Sequence, residues 1–109
     1  MKYEVRPLSV FERKARRLIG KYPSLKKELA ALGASLEKEP RQGTSLGKDR
    51  YMIRLAIASK RKGKSDGTRV ITNVVVREHT VHLLTIYDKS EQADLSAKEL
   101  DAPIAIVPS

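Results

Sequence analysis

From Phe11 to Leu55 the apolar residues change period once, near residue 50, and that change sets the fold class. Before it they recur at intervals of three and four. Phe11, Ala15, Leu18, Ile19 and Tyr22 share one helical face, while Arg13, Lys14, Arg16, Arg17 and Lys21 lie mostly on the other. Leu25, Leu29, Leu32 and Leu36 repeat the helical pattern. After the change the period is two. Tyr51, Ile53, Leu55 and Ile57 alternate with Met52, Arg54, Ala56 and Ala58. Helices followed by strands pack on one face of an antiparallel sheet, an α+β fold. The other sheet face is expected to be free.

Local signals place the boundaries. Lys2–Arg6 alternates as a first strand and is ended by Pro7. Ser9 with Glu12 three positions on is a capping box opening the first helix. That helix stops near Gly20–Tyr22, because Pro23 disfavours helical geometry in the residue before it. A second helix opens at Pro23-Ser24, so the two form an αα-hairpin. Pro40–Asp49 is predicted to be a loop, as is the basic run Ser59–Thr68. Arg69–Arg77 and Val81–Tyr87 are strands joined as a hairpin through Glu78-His79-Thr80. Asp94 to Glu99 carries a second capping box, for a short C-terminal helix. Ile104–Val107, held between Pro103 and Pro108, fits either an edge strand or an apolar tail. The predicted order is β-α-α-β-β-β with a mainly antiparallel sheet, a helical hairpin on one face and a short final helix.

Composition narrows the class. A length of 109 residues supports one domain, residues 1–109. The chain has no Cys, which excludes disulfides and thiolate-bound zinc and is consistent with an intracellular, cytoplasmic protein. Its apolar runs are too short to span a membrane, and its N-terminus lacks the apolar stretch of a signal peptide. The formal charge is +9. Between Arg41 and Arg69 stand nine basic residues and two acids, a net +7. Ser90–Asp101 holds four acids and one Lys. A patch of this kind suits phosphate, although a basic loop also serves solubility alone. Arg54 and Arg69 favour a site, because they interrupt apolar strand patterns where a cation is costly.

Other motifs carry less. Gly63-Lys64-Ser65 suggests a phosphate loop, but the required earlier Gly is Ala58, and a strand rather than a helix follows. His79 falls in a turn and His82 on a strand, as a surface or sheet-face residue. Neither has carboxylates at ligand spacing, so no metal site is expected.

Four stretches together carry a family resemblance: Ile53–Lys60, Lys62-Gly-Lys-Ser65, Gly67-Thr-Arg-Val-Ile71 and Leu83–Glu91. They resemble the RelE/HigB toxins, and most of all the HigB-like branch with its Lys-x-Lys-Gly-Lys-x-Gly-Gly-x-Arg core. The match is close over about residues 50–100, and the upstream element order agrees. This chain departs at Asp66 and Arg61, where the family usually has Gly, and in its Pro-bounded C-terminus, where relatives continue as a helix.

The resemblance implies a microbial-ribonuclease-like fold and the toxin of a type II toxin-antitoxin system. Such toxins are ribosome-dependent endoribonucleases that cut translated mRNA in the A site without a metal or other cofactor. A cognate antitoxin holds them inactive, and the pair is expected to bind operator DNA through the antitoxin. The mRNA 2′-hydroxyl attacks the adjacent phosphate, which calls for a base, an acid and cations on the developing charge. By resemblance, Arg69 is the transition-state phosphate clamp and Lys89 stabilises the leaving group. Lys60, Arg61, Lys62 and Lys64 bind the RNA backbone, with one of the lysines as base; crowded like charges lower a lysine pKa. Arg54 reaches the same phosphate from the neighbouring strand, and Tyr87 stacks on a base, orients a lysine or is simply a core aromatic. Two other readings stand beside this one: a ParE-like gyrase inhibitor, and a non-catalytic basic nucleic-acid-binding module. The second has few aromatics for stacking.

Overall fold

The computed structural model describes residues 2–55 and 68–88. Strand β1 (Glu4–Pro7) leads into helices α1 (Ser9–Lys21) and α2 (Leu25–Lys38). Strands β2 (Thr44–Gly47), β3 (Arg50–Leu55), β4 (Thr68–Val75) and β5 (Thr80–Asp88) follow, with a 3-10 turn at Val76–Glu78. The five strands form one mixed sheet in the order β1-β5-β4-β3-β2. Strand β1 runs parallel to β5, and the other neighbours are antiparallel. The expected α+β architecture is present, with one added strand.

That strand is β2, inside the predicted loop Pro40–Asp49. Thr44-Ser-Leu-Gly has a single large apolar side chain, too little to show a period of two. Pairing with β3 decides its conformation. The hairpin turn is Lys48-Asp49, and both residues have positive φ, 54° and 60°. Two-residue hairpins need this primed geometry because it matches the strand twist, although Asn-Gly is the usual way to reach it. Asn73 secures the turn from β4, its Nδ2 donating to the carbonyls of Asp49 at 3.2 Å and Lys48 at 3.4 Å. Gly43, at φ 101°, passes so close to β3 that a Cβ there would lie 2.6 Å from the Met52 carbonyl oxygen.

The entry to α1 also differs from expectation. Leu8, not Ser9, is the N-cap, and no side chain caps the helix. The Leu8 N–H donates to the Leu83 carbonyl at 3.0 Å, carrying the β1–β5 connection one residue past Pro7. The helix therefore starts directly from the sheet, and Ser9 is already in its first turn. At the other end α1 stops at Lys21, as Pro23 requires. Strand β4 ends at Val75, earlier than the predicted Arg77, because the 3-10 turn closes on His79 in the left-handed region, φ 50°.

Phe11, Ala15 and Leu18 of α1 and Leu25, Leu32 and Leu36 of α2 pack with Ile53, Val70, Val81 and Ile86 of the sheet. Helix α1 lies on β5 and α2 beside β1. Each fully buried Leu contributes on the order of 1.5–3 kcal/mol. The opposite sheet face is not free, contrary to expectation. Met52, Ile71, Leu84 and Tyr87 form a second buried cluster there, with Leu8 and Leu46 against it. The predicted C-terminal helix, the Ile104–Val107 segment and the loop from Ser59 to Gly67 lie outside the described residues.

Candidate functional site

The register aligns three of the candidate residues. Arg54 of β3 is the Cα partner of Arg69 on β4, and Arg69 is the partner of Tyr87 on β5. Directly paired residues project to the same sheet face. Tyr87 belongs to the cluster on the face away from the helices, and its hydroxyl donates to the Met52 sulfur at 3.9 Å. The row Arg54–Arg69–Tyr87 therefore crosses the helix-free face.

Burial differs along the row. Arg69 is 0% exposed and Tyr87 3%, whereas Arg54 is exposed. Like charges directly opposite on neighbouring strands cost stability, and removing a guanidinium from water costs several kcal/mol. Arg69 has partners within the protein; a phosphate between the two arginines would offset the like-charge term, and planar guanidinium suits its oxygens.

The basic residues Lys60, Arg61, Lys62 and Lys64 and the predicted cation Lys89 lie outside the described residues. Their attachment points are nevertheless informative. The chain leaves β3 at Leu55 and re-enters β4 at Thr68, next to Arg54 and Arg69 respectively. Strand β5 ends at Asp88, immediately before Lys89 and one residue after Tyr87. All the sequence-assigned candidates are thus tethered to one end of three adjacent strands.

At the other end of the same face runs a second row, Arg50–Asn73–His82–Arg6. Composition includes Arg50 in the basic window, but only pairing shows this alignment. Arg50 is buried, and its Nε donates to the Gly47 carbonyl at 3.4 Å. His82 is on the sheet face as expected but only 7% exposed, and neither ring nitrogen has a hydrogen-bond partner. Burial holds its pKa below the usual value; Glu78 acts in the opposite sense, and Arg6 adds to the lowering. His79 is exposed in its turn, with its ring 5.4 Å from that of Tyr3. Among the described residues no group of three His, Cys, Asp or Glu could hold a metal ion.

This arrangement, two helices on a five-stranded mixed sheet, is a RelE-like fold. Two solved structures carry that assignment. The chain is similar to a double arginine-to-alanine mutant of E. coli toxin RelE in the free state, with 15% identity and a TM-score of 0.67. That match covers 99% of this chain and 100% of the other. The isolated E. coli RelE toxin matches with 20% identity and a TM-score of 0.55, over 96% of this chain and 99% of the other. No protein-family model matches the sequence.

Proposed function

We propose that this chain is the toxin of a type II toxin-antitoxin system, a single-domain, ribosome-dependent endoribonuclease that cuts translated mRNA in the A site. The observation that carries this reading is the cross-strand pair of Arg54 and Arg69 at the end of the sheet where the basic loop attaches. The RelE fold of the chain and the HigB-like motifs of its sequence support it. In the proposed reaction the mRNA 2′-oxygen forms a bond to phosphorus and the bond to the neighbouring 5′-oxygen breaks. The product is a 2′,3′-cyclic phosphate. The proton leaves the 2′-hydroxyl to a base, one of Lys60, Lys62 and Lys64, and an acid returns a proton to the leaving oxygen. Arg69 and Arg54 hold the phosphate, Arg61 and the loop lysines hold the backbone, and Lys89 stabilises the leaving oxygen. The burial of Tyr87 favours a positioning role over stacking on a base. No metal or other cofactor takes part. The proposed partners are a cognate antitoxin, through which the pair binds operator DNA, and the ribosome with its mRNA.

The test is translation in vitro, followed by primer extension on the mRNA. Cuts within codons that appear only when ribosomes are translating are the expected result. Equal cutting of naked RNA would overturn the A-site mechanism. Intact mRNA together with stalled gyrase cleavage complexes would overturn the nuclease.

A further inference from the structure

Strand β1 closes one edge of the sheet with little side-chain packing of its own. Val5 is half-buried, and Glu4, Arg6 and Pro7 are exposed. Backbone bonds tie the strand down at both ends. The Glu4 N–H donates to the His79 carbonyl at 2.8 Å, and the Leu8 N–H to the Leu83 carbonyl at 3.0 Å. A segment with so few buried apolar contacts opens locally before the molecule unfolds. Its neighbour β5 is the opposite case, buried along its whole length. The register sets Arg6 of β1 beside His82 of β5. Asn73 flanks His82 from β4, Arg50 of β3 pairs with Asn73, and Glu78 acts on the ring from the 3-10 turn. Arg6 is itself paired with Glu4 at 2.9 Å on the exposed surface. The His82 ring is 7% exposed, and neither nitrogen has a hydrogen-bond partner. An imidazolium there would be a buried charge without a partner. It would also face the Arg6 guanidinium, and like charges directly opposite on neighbouring strands repel.

We propose that β1 is an acid-released latch: protonation of His82 frees the strand from β5 while the helices and the other strands stay folded. The neutral ring brings no charge into the sheet. The charged ring is accommodated once β1 has moved away, because water then reaches it and the Arg6 guanidinium leaves with the strand. An ordinary histidine titrates near about 6.5, so the exchange falls between neutral and mildly acid solution. Opening also turns β5 from an inner strand into an edge, with backbone N–H and C=O groups free to pair with another strand. The latch is separate from the proposed phosphate site. His82 and Tyr87 stand at opposite ends of the same face, about 16 Å apart along β5 at the usual strand rise.

The test is amide hydrogen exchange by NMR at about pH 7.5 and about pH 5.5, on the order of one unit either side of the ordinary histidine value. It is read as protection factors, which correct for the pH dependence of exchange in a free chain. At the lower pH the Glu4 and Leu8 amides should lose up to about tenfold in protection, since the opened state leaves an ordinary histidine to bind the proton. The amides of β4 should stay better protected than these at both pH values, the mark of a local opening. In His82→Leu the loss should vanish. In Arg6→Gln, which removes the facing charge, it should shrink. His79 is the other histidine near β1, its ring against that of Tyr3. His79→Asn, which suits the left-handed backbone there, should keep the loss. Unchanged protection in wild type would overturn the inference. So would a loss that persists in His82→Leu or vanishes in His79→Asn. Equal opening free energies for the β1 and β4 amides would overturn it too, because the molecule would then unfold as one. No RNA enters these measurements, so their outcome does not depend on whether the sheet face cuts mRNA.

Discussion

Arg69 couples fold and chemistry most tightly at the scale of single residues. Its position in an apolar strand marks it in the sequence as a costly cation, and its register opposite Arg54 and Tyr87 places it in the proposed phosphate site. Arg69 is fully buried and has partners within the protein, so Arg69→Met leaves them unsatisfied and should lower the urea midpoint. The same variant should lose at least about 100-fold in mRNA cleavage, the scale of a lost charge-stabilising donor. Arg69→Ala and Lys89→Ala should each relieve growth arrest on induction. Full toxicity in both would refute their assignment. His82 supports a different measurement. Its folded pKa is depressed by burial, so below the ordinary histidine pKa the unfolded chain binds the proton more readily. Stability should then fall as the pH drops through about 6.5. His82→Leu should flatten that dependence in chemical denaturation between pH 7.5 and 5.5, a range on the order of one unit either side of 6.5. An unaltered slope would mean that other groups set it. This property was hidden in the sequence, where a histidine on a half-buried strand looks the same whether its ring meets water or protein.

Elements were legible in proportion to how much of their signal is local. Helices α1 and α2 announce themselves by the spacing from Phe11 to Leu36, because each must bury a whole stripe. Strands β3, β4 and β5 show runs of β-branched and aromatic residues. Strand β2 does not, since its conformation is imposed by β3 and by the Lys48-Asp49 turn rather than by its own side chains. The Ser9 capping box failed for a related reason: a long-range bond from Leu8 to Leu83 fixes where α1 begins. The turn offers a check. Lys48→Asn/Asp49→Gly supplies residues that adopt positive φ readily and should raise unfolding stability by about 1 kcal/mol. It gives up only the exposed Arg41–Asp49 ion pair at 3.8 Å, worth about 0–1 kcal/mol. Gly43→Ala should do the reverse, because its Cβ meets the rigid backbone of Met52. A Gly43→Ala midpoint equal to wild type would show that β2 shifts freely.

For the whole molecule, the sequence implied one helix-packed sheet face and one free face, and the second half of that expectation was wrong. Met52, Ile71, Leu84 and Tyr87 are individually unremarkable, and only register brings them together as a second buried cluster. The candidate site was legible as a set of charges and a motif, not as a place. The row Arg54–Arg69–Tyr87 needs the pairing of β3, β4 and β5 to exist. Stability should be distributed accordingly. Every residue of β5 is buried, and the strand is flanked by β1 and β4 and covered by α1. Its amides should be the slowest to exchange with deuterium, while those of the edge strand β2 should exchange first.

The parallel contact between β1 and β5 has a consequence for how the protein comes into being. Glu4 is the register partner of Thr80, so the earliest strand made must wait for the latest described one. Such distant pairing is slow to form, because a long stretch of chain must be ordered before the contact repays it. On a translating ribosome, a nascent chain of this kind carries β1 without its neighbour, and its basic strands lack the strand that bears Tyr87. On the proposed function, the molecule would therefore stay inert toward the ribosome until β5 has been made.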